Sequence, residues 1–215
     1  MVEGLLRGHH QFLQTYVADE LPFLQRLASE GQSPAALYVG CSDSRVVPEL
    51  LTQTSPGDLF VVRNVANLVP PLEHPDASVG AALEYAVEHL GVQHVIVCGH
   101  YGCGGVKAAI EGLDRVAALP SLAEWLIGAL PAAERAAGEA DPERRWRRAV
   151  EENVLVQLEN LLSFKGVERR VLGGALAVHG WVYDVYTADL HAYDAAGDRF
   201  VAARDLLGPP AAPTP

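Results

Sequence analysis

The sequence predicts an α/β protein built on a mostly parallel central sheet flanked by helices. Two observations carry this. Short apolar runs of strand length end at glycines or turn residues, and segments with helical apolar spacing separate one run from the next. Leu6, Leu13, Tyr16 and Val17 recur at helical spacing, which predicts a helix from about Val2 to Asp19. Pro22 is placed to open a second short helix ending near Gly31. Ala35 to Val39, entering Gly40, is the first buried strand. Leu59 to Val62 is the second, after the turn signal Ser55-Pro56-Gly57-Asp58. Ser78 is the expected cap of a helix carrying Val79, Leu83, Val87 and Leu90 and closed by Gly91. His94 to Cys98 is the third strand, and a helix begins at Val106 to Ile110.

From Ser121 to Ala137 the chain reads as helical, with Pro131 as a break. Asp141-Pro142-Glu143 starts a long helix striped by Trp146, Val150, Val154, Leu158, Leu161 and Leu162, a face that belongs in the core. Leu176 to Tyr186 is the fourth strand, and His191 to Tyr193 adds an edge strand by a hairpin. Residues 1–207 are expected to form a single domain. The Pro- and Ala-rich tail from Gly208 to Pro215 is expected to be disordered.

Composition narrows the function. A chain of 215 residues that is 49% hydrophobic can bury one sizeable core. The formal net charge of −11 argues against a nucleic-acid backbone or an anionic membrane as partner. No apolar stretch reads as a membrane span, and Met1-Val2-Glu3-Gly4 does not begin a secretory leader. The 3 cysteines read as thiols of a cytoplasmic protein rather than as a disulfide framework, with Cys98 a small buried hydrophobe.

The chemistry concentrates at Cys41, His100 and Cys103. Two thiols and one imidazole with a fourth position left open make a catalytic rather than a closed zinc site. Cys41 follows the first predicted strand and His100 the third, and open parallel sheets build their sites outside the carboxyl ends of strands. His100-Tyr101-Gly102-Cys103 supplies two ligands from one turn. Gly99, Gly102, Gly104 and Gly105 lend it backbone freedom. These glycines lack the order of a dinucleotide fingerprint, and the deaminase zinc pattern is absent. In Cys41-Ser42-Asp43-Ser44-Arg45 the arginine comes too early for a phosphatase thiolate loop. Asp43 and Arg45 are spaced to pair beside the metal ligand.

Three motifs in order resemble the beta class of carbonic anhydrases: Cys41 to Arg45, then Arg63-Asn64-Val65-Ala66-Asn67, then Cys98-Gly99-His100 with Cys103-Gly104-Gly105. The likeness runs from about Gly4 to Val201 and includes His179-Gly180-Trp181-Val182-Tyr183-Asp184. The resemblance implies four parallel strands with an antiparallel edge strand. It also implies an obligate homodimer whose N-terminal helices embrace the partner, of a kind that often pairs further into tetramers or octamers. The implied reaction is the reversible hydration of carbon dioxide to bicarbonate and a proton by attack of zinc-bound hydroxide.

Position by position, the resemblance makes Cys41, His100 and Cys103 the zinc ligands and Asp43 with Arg45 the catalytic dyad. If that pair breaks, Asp43 becomes a fourth metal ligand in a closed, inactive state. Gln32 is the amide that reaches the neighbouring subunit's site, and Phe60, Val65 and Tyr85 form the small substrate wall. A backbone N–H near Gly104 is placed to receive the developing carboxylate. In one respect the chain departs from relatives that hold a regulatory bicarbonate: Arg63 and Tyr183 match that site, but Tyr38 stands where those relatives have Trp. Hydrolysis of carbonyl sulfide or carbon disulfide on the same centre is the alternative reading among enzymes. A zinc-stabilised scaffold is the alternative outside them.

Overall fold

The computed structural model describes residues 1–207, and the tail from Gly208 to Pro215 lies outside them. A six-stranded sheet runs in the order β2-β1-β3-β4-β5-β6. Its strands are β1 (Ala36–Cys41), β2 (Leu59–Asn64), β3 (His94–Tyr101), β4 (Ala177–Asp184), β5 (Leu190–Asp194) and β6 (Arg199–Ala202). The first four in this order are mutually parallel. β5 and β6 follow antiparallel, so the predicted edge strand continues into a further strand.

β1 and β3 run further than their apolar runs suggest. Register pairing holds from Ala36↔Leu59 to Cys41↔Asn64, and from His94↔Ala177 to Tyr101↔Asp184. Cys41 and His100 therefore sit inside strand ends rather than two residues beyond them. Cross-strand hydrogen bonds carry a strand past the point where its hydrophobic pattern stops.

The helices also settle differently from their local signals. α1 (Val2–Gln14) and α2 (Tyr16–Glu30) break at Thr15, and Pro22 lies inside α2 instead of opening it. α4 (Ala77–Glu84) is capped by Asp76, not Ser78. The Asp76 carboxylate accepts from Ser78 N at 3.1 Å and Val79 N at 2.9 Å. A π-turn over Tyr85–Leu90 continues that helix to Gly91. Residues 121–137 resolve into α6 (Pro120–Trp125), a 3₁₀ turn and α7 (Leu130–Arg135), with Pro131 in the first turn of α7, where its missing N–H costs nothing. Short helices α3 (Pro48–Thr52), α5 (Gly104–Glu111), α9 (Lys165–Leu172) and α10 (Ala203–Leu206) complete the set.

α8 (Pro142–Leu161) starts as predicted, with Asp141 accepting from Arg144 N at 2.8 Å. Its Val150 and Val154 enter the main core on one face of the sheet, beside Leu37, Val39, Val95 and Val97. The opposite face carries a smaller cluster of Ala36, Tyr38, Ile96 and Cys98, flanked by Trp181 and Tyr183. Burial pushes the Cys98 thiol up to about 12, which makes it an inert core residue.

Gly99 lets α8 approach β3. A Cβ there would stand 2.9 Å from Val154 Cγ2 and 3.4 Å from Val150 Cγ1. Gly99→Ala should therefore destabilise the fold by about 1–3 kcal/mol through overpacking. Chemical denaturation would show this as a lower midpoint with an unchanged slope. An unchanged midpoint would mean that α8 does not press on the sheet at this point.

Candidate metal centre and active site

β1 and β3 are parallel neighbours, so their carboxyl ends deliver Cys41 and His100 side by side. Beyond β3 the chain turns sharply through Gly102, whose φ of 79° is a conformation that few residues other than glycine adopt readily. Cys103 then lies at the N-cap of α5. The donor atoms of Cys41, His100 and Cys103 all lie within 4.8 Å of one another, and all three residues are buried.

This donor set fits a tetrahedral, thiol-preferring cation. Zinc–sulfur bonds of about 2.3 Å at the tetrahedral angle place two sulfurs about 3.8 Å apart. The Cys41 and Cys103 sulfurs are 4.0 Å apart. His100 Nδ1 donates to the Tyr101 carbonyl at 3.1 Å, which leaves the Nε2 lone pair free for a metal. That Nε2 is buried and has no hydrogen-bond partner among the described residues, a costly arrangement that a bound cation would relieve. The two thiols are coupled. Their mutual hydrogen bond lowers Cys41, with help from His100, and raises Cys103, so Cys41 ionises first.

Asp43 and Arg45 are paired. Arg45 Nε donates to Asp43 Oδ1 at 2.9 Å and Nη2 to Oδ2 at 2.8 Å, a two-pronged grip. The Arg45 backbone N–H adds a third bond to Oδ1 at 3.0 Å. This guanidinium holds the Asp43 carboxyl well below the usual carboxylate range. Asp43 Oδ2 stands 3.8 Å from His100 Nε2, so the carboxylate borders the donor set without completing it. The arrangement is the paired one and not the state in which Asp43 serves as a ligand.

The Arg63 to Asn67 motif locks the Cys41 loop from the side. Arg63 donates to the carbonyls of Cys41 at 3.1 Å and Asp43 at 2.7 Å. The Asn64 amide brackets a tight turn by bonding both the N–H and the carbonyl of Leu68, at 2.7 and 2.8 Å. Within that turn Ala66 and Asn67 take φ of 64° and 48°. Asn153 of α8 secures it by donating to the Ala66 carbonyl at 2.9 Å.

Of the expected substrate wall, Phe60 and Tyr85 meet with ring centroids 5.8 Å apart. Val65 and Tyr85 are exposed in the single chain, unlike core residues. Val65 is fixed through its carbonyl, which accepts from Trp125 Nε1 at 2.8 Å. Gly104 opens α5, where first-turn N–H groups lack helical acceptors. Gln32 does not join the site within one chain. It lies exposed before β1, at the end of that strand opposite Cys41.

Sequence reasoning missed the clamp supplied by α8. Trp146 was expected to be plain core, yet its indole N–H donates to the Cys103 carbonyl at 3.0 Å. Arg147 lies over the Tyr101 ring, Cζ to centroid 3.6 Å, and reaches Asp184 at 3.4 Å. The Tyr101 hydroxyl donates to Glu151 at 2.6 Å. The available signal was a tryptophan set among arginines in Arg144-Arg145-Trp146-Arg147-Arg148, a polar place for a core residue.

Trp146→Phe keeps most of the ring's packing and removes its single donor. The variant should fold and lose its metal to a chelator roughly tenfold more readily, as is typical when a group supporting a ligand is removed. Metal analysis after timed chelator exposure would read this directly. Equal retention would mean that the Cys103 carbonyl needs no partner.

A family model described as carbonic anhydrase matches residues 36–190. A carbonic anhydrase of Pseudomonas aeruginosa is 45% identical over 175 residues, covering 80% of this chain and 78% of that protein. The solved structure of the beta-carbonic anhydrase CcaA is 36% identical with a TM-score of 0.89, covering 94% of this chain and 91% of that one. A structure reported among two tetrameric beta-carbonic anhydrases of Sordaria macrospora is 30% identical with a TM-score of 0.77, covering 89% of this chain and 95% of that one. The paired acid and arginine beside two thiols and an imidazole, carried on this sheet, agree with these likenesses: the chain belongs to the beta class of the carbonic anhydrase family.

Proposed function

We propose that this protein is a zinc-dependent carbonate dehydratase, a lyase that interconverts carbon dioxide and water with bicarbonate and a proton. The observation that carries the reading is the Asp43–Arg45 pair standing against a buried Cys41–His100–Cys103 donor set. A purely structural metal site has no use for such a pair at its open side. Cys41, His100 and Cys103 hold the zinc. When bound, it supplies a Lewis acid that activates water at an accessible pH.

The chain's own groups do the rest. Asp43 Oδ2 accepts a hydrogen bond from the nucleophilic oxygen and aims its lone pair at the substrate carbon. Arg45 keeps that carboxylate ionised and fixes its rotamer. Phe60, Val65 and Tyr85 wall off a small apolar space suited to a linear, uncharged substrate. The N–H at Gly104 and the amide of a partner's Gln32 receive the negative charge that develops on the carboxylate oxygens.

The assembly is a homodimer, able to pair further into tetramers or octamers. α1 and α2 leave Leu5, Leu6, Phe12, Leu13, Tyr16 and Leu21 exposed, an apolar surface that needs a partner. Gln32 sits at the wrong end of β1 for its own site, so only a second copy can bring it to one. No helix among the described residues is long and apolar enough to cross a membrane. We place the enzyme in the cytoplasm, as its thiol chemistry suits. A regulatory bicarbonate is not part of this reading. Arg63 is already engaged with two backbone carbonyls, and the Tyr38 hydroxyl is enclosed beside Cys98.

Asp43→Asn and Arg45→Ala should each retain zinc and lose most carbon dioxide hydration, on the order of a hundredfold or more. Because Arg45 depresses Asp43 far below neutrality, the loss in Asp43→Asn should be similar at every pH from roughly 6 to 9 rather than appear as a shifted profile. Near wild-type rates in either variant, measured by stopped-flow hydration, would reduce the pair to a surface ion pair.

Gln32→Ala should also be impaired, by roughly tenfold or more. Co-expressed Gln32→Ala and Asp43→Asn chains should regain activity in mixed dimers, since one site then has both groups intact. No recovery in mixed dimers of confirmed composition, or full activity in a monomer, would overturn the shared site.

A further inference from the structure

At the amino ends of β3 and β4, away from the site already described, two histidines meet. His94 opens β3 and pairs in register with Ala177. His179 lies opposite Ile96 on β4. Residues paired across parallel strands share a face, and side chains alternate along each strand. His94 and His179 are therefore diagonal neighbours on the sheet face that carries Ile96, Cys98 and Trp181. Their rings stand 5.2 Å apart between centroids, tilted by 49°, with His94 Nδ1 3.1 Å from His179 Nε2.

We propose that His94 and His179 form a second metal site, a two-imidazole chelate for a divalent cation of the imidazole-preferring class, zinc, nickel or copper. Two nitrogens at about 2.0–2.1 Å from one ion lie about 2.9 Å apart at a right angle and about 3.4 Å apart at the tetrahedral angle. The observed 3.1 Å falls between these. The pair is thus spaced for a shared ion with little backbone movement, and a cation would take the place of the contact between the two ring nitrogens. Both nitrogens must be neutral to ligate, and burial together with His94 holds His179 below its usual range. In the single chain His94 is exposed and His179 half-buried, which leaves room for further donors around a shared ion. Imidazole donors without carboxylates do not suit magnesium or calcium.

The site is separate from the catalytic one. Strand rise of about 3.3 Å per residue puts His94 roughly 20 Å from His100 along β3. An ion here would bridge two neighbouring strands at the end of the sheet opposite the catalytic groups. It would act on the stability of the sheet or on docking at that end rather than on the reaction.

The test is calorimetric titration of the protein, carrying whatever metal it was isolated with, with Ni²⁺ and separately with Zn²⁺. Metal analysis before and after confirms that the resident ion stays in place. We expect one additional ion per chain and a rise in melting temperature on binding. His94→Ala and His179→Ala should each weaken the additional binding at least tenfold. The double variant should bind no more weakly than either single one, because two ligands of one ion act as a unit. His94 is exposed, so its variant tests the proposal even should His179→Ala fail to fold. Unchanged binding in His94→Ala would assign the added ion to other surface histidines and overturn the site, as would titration with no additional ion at all.

Discussion

The structure turns on one local problem, the placing of three buried donor atoms of which only the two thiols bond each other. The two sulfurs stand 4.0 Å apart, and His100 Nε2 is enclosed without a hydrogen-bond partner among the described residues. Burying unpartnered polar atoms is costly, and a cation at their centre turns that cost into affinity. Much of the surrounding architecture holds this arrangement in place. Parallel pairing of β1 with β3 sets Cys41 beside His100. The tight turn at Gly102 then brings Cys103 back to both. From the far side, α8 grips the loop through the Cys103 carbonyl and the Tyr101 ring.

Charge is arranged with equal economy. The chain is strongly acidic, yet two arginines converge on the Cys41 loop. Arg45 takes both oxygens of Asp43, and Arg63 takes the backbone carbonyls of Cys41 and Asp43. One arginine orients a side chain and the other orients the main chain that carries it. The result is a carboxylate held low in pKa that borders the donor set without joining it. The side of the donor set that faces Asp43 is therefore shaped by the arginine network as much as by the donors.

The two faces of the sheet have different destinies. One is covered by α8 and its neighbours and contains the main core. The other carries a small cluster around Tyr38, Ile96 and Cys98, and the amphipathic α1 and α2 contribute no buried residue to the single chain. Val65 and Tyr85, proposed for the substrate wall, are likewise exposed in the single chain. That exposed apolar surface is what the proposed dimer would cover. The histidine pair marks the opposite end of the same strands, where the sheet offers chemistry that catalysis does not use.

The sequence by itself determined the class of the fold, the donor set and the pairing of Asp43 with Arg45. Each of these is written in local spacing or in residue types with few alternative uses. Two thiols and an imidazole at strand ends, and an acid two residues before an arginine, are legible without coordinates. The cap at Asp76 and the break at Thr15 were not, because neighbouring residues offer competing local bonds there, and the end of β3 at Tyr101 was not, because pairing with the distant β4 sets it. Trp146, Arg147 and Glu151 were invisible as site residues for the same reason. Their partners at Cys103 and Tyr101 are distant in sequence and become neighbours only when α8 lies against β3. Only the tertiary structure decides such contacts, since periodicity along a chain records which face a residue takes and says nothing of what the fold sets against that face.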